Sequence, residues 1–252
     1  MTELRITSRK NPALQQVRRL FTSRAERQKT GLCVADGTKL LQEAVRWGAE
    51  LVRVILADGI ETPRLPESAE VLRVPPEVME SISNMQAPQG AIFLCKIPEP
   101  QPPTLQGGTL ILDGIQDPGN LGTILRTADA LEVPVLLTEG CADPYNAKTL
   151  RAAMGAIFRT PPRFARQEQI VELCRQEGVE LAVTRLSPNA TDIREAPLKQ
   201  CALVIGSEGQ GVCSRFIEAA QRQLIIPMNP RCESLNAAIA ATIVMWQLRN
   251  IE

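Results

Sequence analysis

Residues 110–130 read LILDGIQDPGNLGTILRTADA: an apolar run, a Pro–Gly turn at Pro118 and Gly119, then Leu121, Ile124, Leu125 and Ala128 at helical spacing. Asn120 is placed to cap that helix. A strand leading directly into a helix is the repeating unit of a parallel sheet, and the pattern recurs to the C-terminus. The strand-like runs TLILDGI, PVLLT, ELAVT, ALVIG and QLIIPM are separated by helical patterns starting near Asn120, Asn146, Glu168, Ser214 and Ser234. Residues 109–252 are therefore expected to form an α/β domain, its sheet mainly parallel and covered on both faces.

Upstream, residues 96–108 read KIPEPQPPTLQGG, with four prolines and two glycines. Such a stretch cannot continue a helix or a central strand, and 98–108 is expected to be a linker. Before it, a helix is expected over Asn11 to Arg27, a strand at Leu32 to Ala35 and a helix from Thr38 to Trp47. Strands at Leu51 to Ala57, Val71 to Val74 and Ala91 to Cys95, with a short helix near Glu77 to Ile82, complete a small α/β domain over 1–97. No internal repeat is visible.

Composition excludes several kinds of chemistry. The chain of 252 residues is 44% hydrophobic and 22% charged, enough for one large core or two modest ones. It contains no histidine, which removes Ser-His-Asp and Cys-His systems, imidazole metal ligands and the commonest general base. Seven cysteines, widely spaced and without a C-x-x-C pair, read as small buried hydrophobes in a reducing compartment. With neither a secretory signal nor an apolar stretch long enough for a bilayer, a cytoplasmic protein without membrane contact is expected.

Net charge is zero, so bulk electrostatic coating of nucleic acid is not expected, yet the N-terminus is locally basic. Arg5, Arg9, Lys10, Arg18, Arg19, Arg24, Arg27 and Lys29 face only Glu3 and Glu26 in the first thirty residues. That pattern suits a solvated helix face and an RNA-contacting surface equally. Aromatic residues make up only 3%, which favours RNA recognition through sugar, phosphate and shape over base stacking.

Three segments at the carboxyl ends of strands could carry chemistry, where open α/β sheets place their ligand crevice. In the first, Arg126 lies four residues beyond Gly122, whose missing side chain would let a phosphate approach the guanidinium. The second, ALVIGSEGQG at 202–211, puts Gly206, Gly209 and Gly211 around Glu208; its spacing matches neither the dinucleotide G-x-G-x-x-G nor a Walker loop. The third, 224–249, ends a strand at Pro227 and Met228, crosses an irregular loop and starts an alanine-rich helix that Ser234 could cap, with Asn236 in its first turn. Each alone reads first as structure: a capped helix, a tight turn and a core helix.

Together, and in this order, the three segments resemble the motifs of the SpoU/TrmH family of RNA ribose 2′-O-methyltransferases in the SPOUT superfamily. NLGTILRTADA is similar to N-x-G-x-x-x-R-x-A, LVIGSEGQGV to G-x-E-x-x-G, and IPMNPRCESLNAAIA to I-P-M…S-L-N-x-x-x-A. The stretch GLCVADGTKLLQEAV resembles the substrate-binding extension of many members, although Asp36 stands where many relatives have glutamate. The resemblance implies a SPOUT-type domain whose C-terminal segment forms a trefoil knot, a rare topology that periodicity cannot show.

It further implies S-adenosylmethionine as methyl donor, a structured RNA substrate with ribosomal RNA ahead of transfer RNA, a homodimer, and no metal. Arg126, Asn120, Glu208, Ser234 and Asn236 fall on the catalytic motif positions, and Gly206, Ile226, Leu235, Met228 and Thr184 around the donor. Arg9, Lys10, Arg18, Arg19 and Lys39 become candidate RNA contacts. Ile239, Ile243, Val244 and Trp246 on the last helix suit either a dimer contact or the core. Two rival readings remain: another nucleotide- or phosphate-binding α/β enzyme, and a non-catalytic RNA-binding factor on the same scaffold.

Overall fold

A computed structural model describes residues 3–229, 231–232 and 234–250. In chain order the elements begin β1 (Glu3–Arg5), α1 (Pro12–Thr22), α2 (Arg24–Thr30), β2 (Leu32–Asp36), α3 (Thr38–Arg46), β3 (Leu51–Ala57), β4 (Glu70–Val74), α4 (Pro76–Ile82) and β5 (Ala91–Lys96). There follow β6 (Leu110–Asp113), α5 (Pro118–Ala130), β7 (Val135–Leu137), α6 (Ala147–Ala153), α7 (Ala156–Arg159), β8 (Arg163–Phe164) and α8 (Gln167–Glu177). The chain closes with β9 (Glu180–Thr184), β10 (Thr191–Asp192), β11 (Cys201–Gly206), α9 (Ser214–Ala219), β12 (Arg222–Ile225) and α10 (Ala237–Asn250).

Two units divide the chain: residues 1–99 with 143–159, and 100–142 with 160–252. The first holds a mixed sheet in the order β1-β4-β3-β5-β2, β4 running parallel to β1 and β3 and β5 antiparallel to β3 and β2. Leu14, Val17 and Leu20 of α1 pack with Ile55, Leu72 and Ile92 of the sheet, each at most 1% exposed. Burying each such side chain contributes about 1.5–3 kcal/mol. The single helix expected over 11–27 is two: Ser23 ends α1 in an extended conformation, and its hydroxyl accepts from Glu26 N at 3.1 Å to start α2.

The expected continuous domain over 109–252 differs from this division, because 143–159 packs in the first unit. Ala147 joins the core beneath α1, and half-buried Asp143 accepts from the buried Arg27 Nε at 2.7 Å. Arg27 thus leaves the basic surface to which its sequence position assigns it. Hydrophobic periodicity marks α6 as a helix but carries no information on which sheet receives it.

The second unit is a seven-stranded, wholly parallel sheet in the order β10-β12-β9-β11-β6-β7-β8. Phe216, Ile170, Val183, Val204 and Ile111 lie in its core. The short strands β8 and β10, two residues each, escape any periodicity reading. Pairing sets Gly206 of β11 opposite Asp113 of β6, and Thr184 of β9 opposite Leu224 of β12, so four strand ends open on one side. The chain finishes with α10 against α5 and β11, a course consistent with the expected trefoil knot. Five cysteines are buried as expected, but Cys213 is half-buried and Cys232 exposed.

Candidate active site

The strand ends of β9, β11 and β12 enclose a cavity of about 500 Å³. Its walls are apolar, from Ile205, Leu224, Ile226, Leu235, Ala237 and Ala240, with Thr184, Ser207, Glu208 and Ser234 supplying polar groups. Gly206, Ile226, Leu235, Met228 and Thr184 all line it. The glycine-rich turn closes on itself: Gly211 N donates to Ser207 O at 2.9 Å, and a Cβ at Gly206 would lie 2.1 Å from the carbonyl carbon of Gly211. No side chain can stand at Gly206 without opening the turn.

Three distant stretches meet at the rim. Asn120 Nδ2 donates to Glu208 Oε1, and Asn236 Nδ2 donates to Asn120 Oδ1 at 3.0 Å. Glu208 lines the cavity; Asn120 and Asn236 stand behind it and fix its carboxylate. The caps differ from expectation for a common reason. Asp117 caps α5, its carboxylate accepting from Asn120 N at 2.8 Å, while Asn236 Oδ1 accepts from Ala238 N at 2.9 Å at the start of α10. Asn120 and Ser234, expected as caps, are thereby free to face the site, and Ser234 lines the cavity.

Arg126 is exposed on α5, outside the lining of this chain's cavity and without a hydrogen-bond or ion-pair partner among the described residues. Gly122, four residues earlier, is buried on α5 while Arg126 is exposed.

Sequence reasoning missed Asp113. Only 5% exposed at the end of β6, it accepts from Thr138 Oγ1 at 3.1 Å, Gln167 Nε2 at 2.9 Å and Cys213 N at 2.8 Å. One carboxylate so ties β6 to β7, to α8 and to the end of the glycine turn. An aspartate closing an otherwise apolar strand run was the available signal, since buried charge persists only when fully hydrogen-bonded.

The candidate RNA contacts separate into three places. Arg18 donates to Arg9 O at 2.8 Å and to Ser81 Oγ at 3.2 Å, and Arg9 to Glu77 O at 3.1 Å, which gathers exposed Arg9 and Lys10 beside half-buried Arg18. Arg19 is tied to Glu26 at 3.2 Å, and Lys39 is exposed in the first turn of α3. On α10, Val244 is fully buried, whereas Ile239 and Trp246 are 52% and 60% exposed.

Fold and site together define an α/β protein with a small-molecule crevice at the carboxyl ends of parallel strands. The SpoU rRNA Methylase family model matches residues 108–246, and an MRM3-like substrate binding domain matches 11–92. The chain belongs to the SpoU rRNA methylase family. It is 33% identical to the 23S rRNA (guanosine(2553)-2'-O)-methyltransferase RlmP of Bacillus subtilis, over 97% of this chain and 98% of the relative. Human mitochondrial rRNA methyltransferase 3 is 28% identical, over 93% of this chain and 71% of that protein. The AdoMet-bound rRNA methyltransferase of Sinorhizobium meliloti superposes with a TM-score of 0.86 at 29% identity, covering 98% of this chain and 97% of that one.

Proposed function

We propose that this protein transfers a methyl group from S-adenosylmethionine to a ribose 2′-hydroxyl of ribosomal RNA. The convergence of Asn120, Glu208 and Asn236, one from each motif stretch, at the rim of one apolar cavity carries this reading. The Bacillus subtilis relative, named for 2′-O-methylation of 23S rRNA and matching nearly end to end, supports ribosomal over transfer RNA.

The residues present fit the donor. Apolar walls suit the faces of an adenine ring, and main-chain groups of the strand ends and glycine turn suit its edges. Ile226, Leu235 and Met228 would hold the nucleoside, with Gly206 and Thr184 beside them. When bound, S-adenosylmethionine supplies an electrophilic methyl carbon on a sulfonium sulfur.

A ribose hydroxyl is a poor nucleophile and must lose its proton as the new O–C bond forms and the C–S bond breaks. Arg126 grips the adjacent phosphate with two donors and stabilises the charge developing on the 2′-oxygen. A guanidinium with a pKa above about 12 is a poor base, so the proton leaves through Ser234, a phosphate oxygen or water. Asn120 and Asn236 are positioning residues: they hold Glu208, which orders the turn around the donor.

The protein acts as a homodimer through α10, where exposed Ile239 and Trp246 flank half-buried Ile243 at i, i+4 and i+7. Arg126 stands on the helix that α10 packs against, and pairing of two copies offers a route by which it completes a cavity. Light scattering at micromolar concentration tests this, and a monomer there contradicts it. The activity is tested with labelled donor, total undermethylated RNA and mapping of the modified nucleotide. Label in a large-subunit ribosomal ribose is expected. Label confined to transfer RNA overturns the ribosomal assignment, and no label in any RNA leaves the non-catalytic binding factor.

A further inference from the structure

Trp47 ends α3 and is 46% exposed. The helix stops there because Gly48 takes a φ of +71°, while Trp47 N donates to Glu43 O at 3.1 Å and Ala49 N to Ala44 O at 2.9 Å. The first unit's core does not require this ring. Two guanidinium groups, of Arg46 and Arg159, lie 5.5 Å from its centroid. Glu43 Oε2 accepts from Arg159 Nη1 at 2.7 Å and from Trp47 Nε1 at 3.3 Å, which locks the arrangement.

Trp47 is one wall of a second cavity, of about 370 Å³, within the same unit and within the size range of small-ligand sites. Tyr145, Phe158, Ile157 and Lys96 also line it, and Lys96 pairs with Glu50, another lining residue. Tyr145 is only 8% exposed, yet its hydroxyl has no hydrogen-bond partner among the described residues. The hydroxyl oxygen is not among the fully buried atoms, so it opens on the cavity and can bond a ligand there. Burial raises the Tyr145 pKa well above its ordinary value, so the group stays neutral, able to donate and to accept.

We propose that this cavity takes one unpaired nucleotide of the substrate RNA: the base against Trp47 and Phe158, its edge hydrogen-bonded by the Tyr145 hydroxyl, its phosphate held by Lys96. Stacking on an aromatic ring flanked by guanidinium planes is how proteins take up splayed-out bases. An apolar ligand would leave the Tyr145 hydroxyl without a partner. The scarcity of aromatic residues argues against stacking when they are spread along the sequence. The fold instead brings one of the chain's two tryptophans and its single tyrosine to one cavity. The assignment rests on the RNA-methyltransferase reading above.

The test measures binding of undermethylated large-subunit ribosomal RNA, alongside methyl transfer, for the full chain and its Trp47→Ala, Trp47→Phe and Tyr145→Phe variants. Trp47→Ala is expected to weaken RNA binding about tenfold or more, the loss of one stacked base, with Trp47→Phe recovering most of it. KM for RNA should rise while kcat and donor affinity hold. RNA should quench the tryptophan emission of the wild-type chain and not that of Trp47→Phe. RNA affinity within twofold of wild type for Trp47→Ala, with unquenched emission, overturns the site and leaves methyl transfer standing. Wild-type chain that binds RNA through Trp47 but methylates none overturns the function and leaves the site. Quenching by millimolar AMP, GMP, CMP or UMP while Trp47→Ala binds RNA normally marks a site for free nucleotides and overturns the RNA contact.

Discussion

Charges in the first unit and at the rim of the second unit's cavity are used in opposite ways. In the first, buried Arg27 pairs with Asp143, and half-buried Arg159, Arg53 and Arg73 pair with Glu43, Glu70 and Glu3, each pair joining segments distant in sequence. At the rim of the second unit's cavity, Glu208 is held by a neutral amide, and Arg126 has no partner among the described residues. Paired charge holds chain segments in place; unpaired charge is available for a substrate. If that division is real, stability and turnover must respond to different substitutions.

The largest effect on stability should come from Asp143→Asn. It keeps an acceptor for Tyr145 N, which Asp143 now holds at 2.9 Å, but leaves the Arg27 guanidinium buried at 3% exposure without its counter-charge. Breaking one side of a buried pair costs about 3–5 kcal/mol. Denaturant unfolding should show that loss, and replacing both partners with apolar residues should restore much of it. A variant as stable as wild type would mean that the pair holds nothing.

Arg126→Ala should do the reverse. Removing a guanidinium that stabilises charge in the transition state costs about 10²–10³ in kcat, roughly 2.7–4 kcal/mol. An exposed side chain without partners contributes within about ±0.5 kcal/mol to stability, so the melting temperature should hold. Donor affinity by calorimetry should hold too. Equal loss of donor binding would move Arg126 from the reaction to the cofactor. Arg126→Lys should also be poor, because an ammonium cannot reproduce the two-pronged contact.

How much of this the sequence discloses follows the same division. Strand–helix alternation predicts every long element of the second unit, because period-2 and period-3.6 patterns report burial directly. The motif residues also come together, since Gly206, Ile226, Leu235, Met228 and Thr184 line one cavity and Asn120, Glu208 and Asn236 form one chain of hydrogen bonds. Long-range pairings are what periodicity cannot supply. Nothing local says that Asp143 reaches Arg27, that Asp113 gathers donors from Thr138, Gln167 and Cys213, or that Tyr145 and Trp47 border one cavity. The cap errors at Asn120 and Ser234 are smaller but of one kind: two cap-forming residues stand close together, and only tertiary contacts decide which of them caps.

The smallest expected effect sharpens the comparison, because Asp36 is a buried charge in the first unit that breaks its rule. It is 4% exposed, Oδ2 accepts from Ser83 Oγ, and Oδ1 is buried with no partner. Burial raises its pKa, and the Ser83 hydroxyl, the Asn84 amide and the Arg151 charge offset that only in part. A carboxyl with a raised folded-state pKa binds its proton more tightly folded than unfolded. Its contribution to stability is therefore fully present below the unfolded pKa and is lost as pH rises through the folded one. At neutral pH the ionised group is a net burden, and Asp36→Asn should raise the melting temperature by a few degrees. The gain should shrink on acidification and vanish once Asp36 is protonated in the folded chain. A variant less stable than wild type at pH 7, by an amount independent of pH, would show that Arg151 compensates the buried carboxylate in full, and would return Asp36 to the paired charges that hold the first unit together.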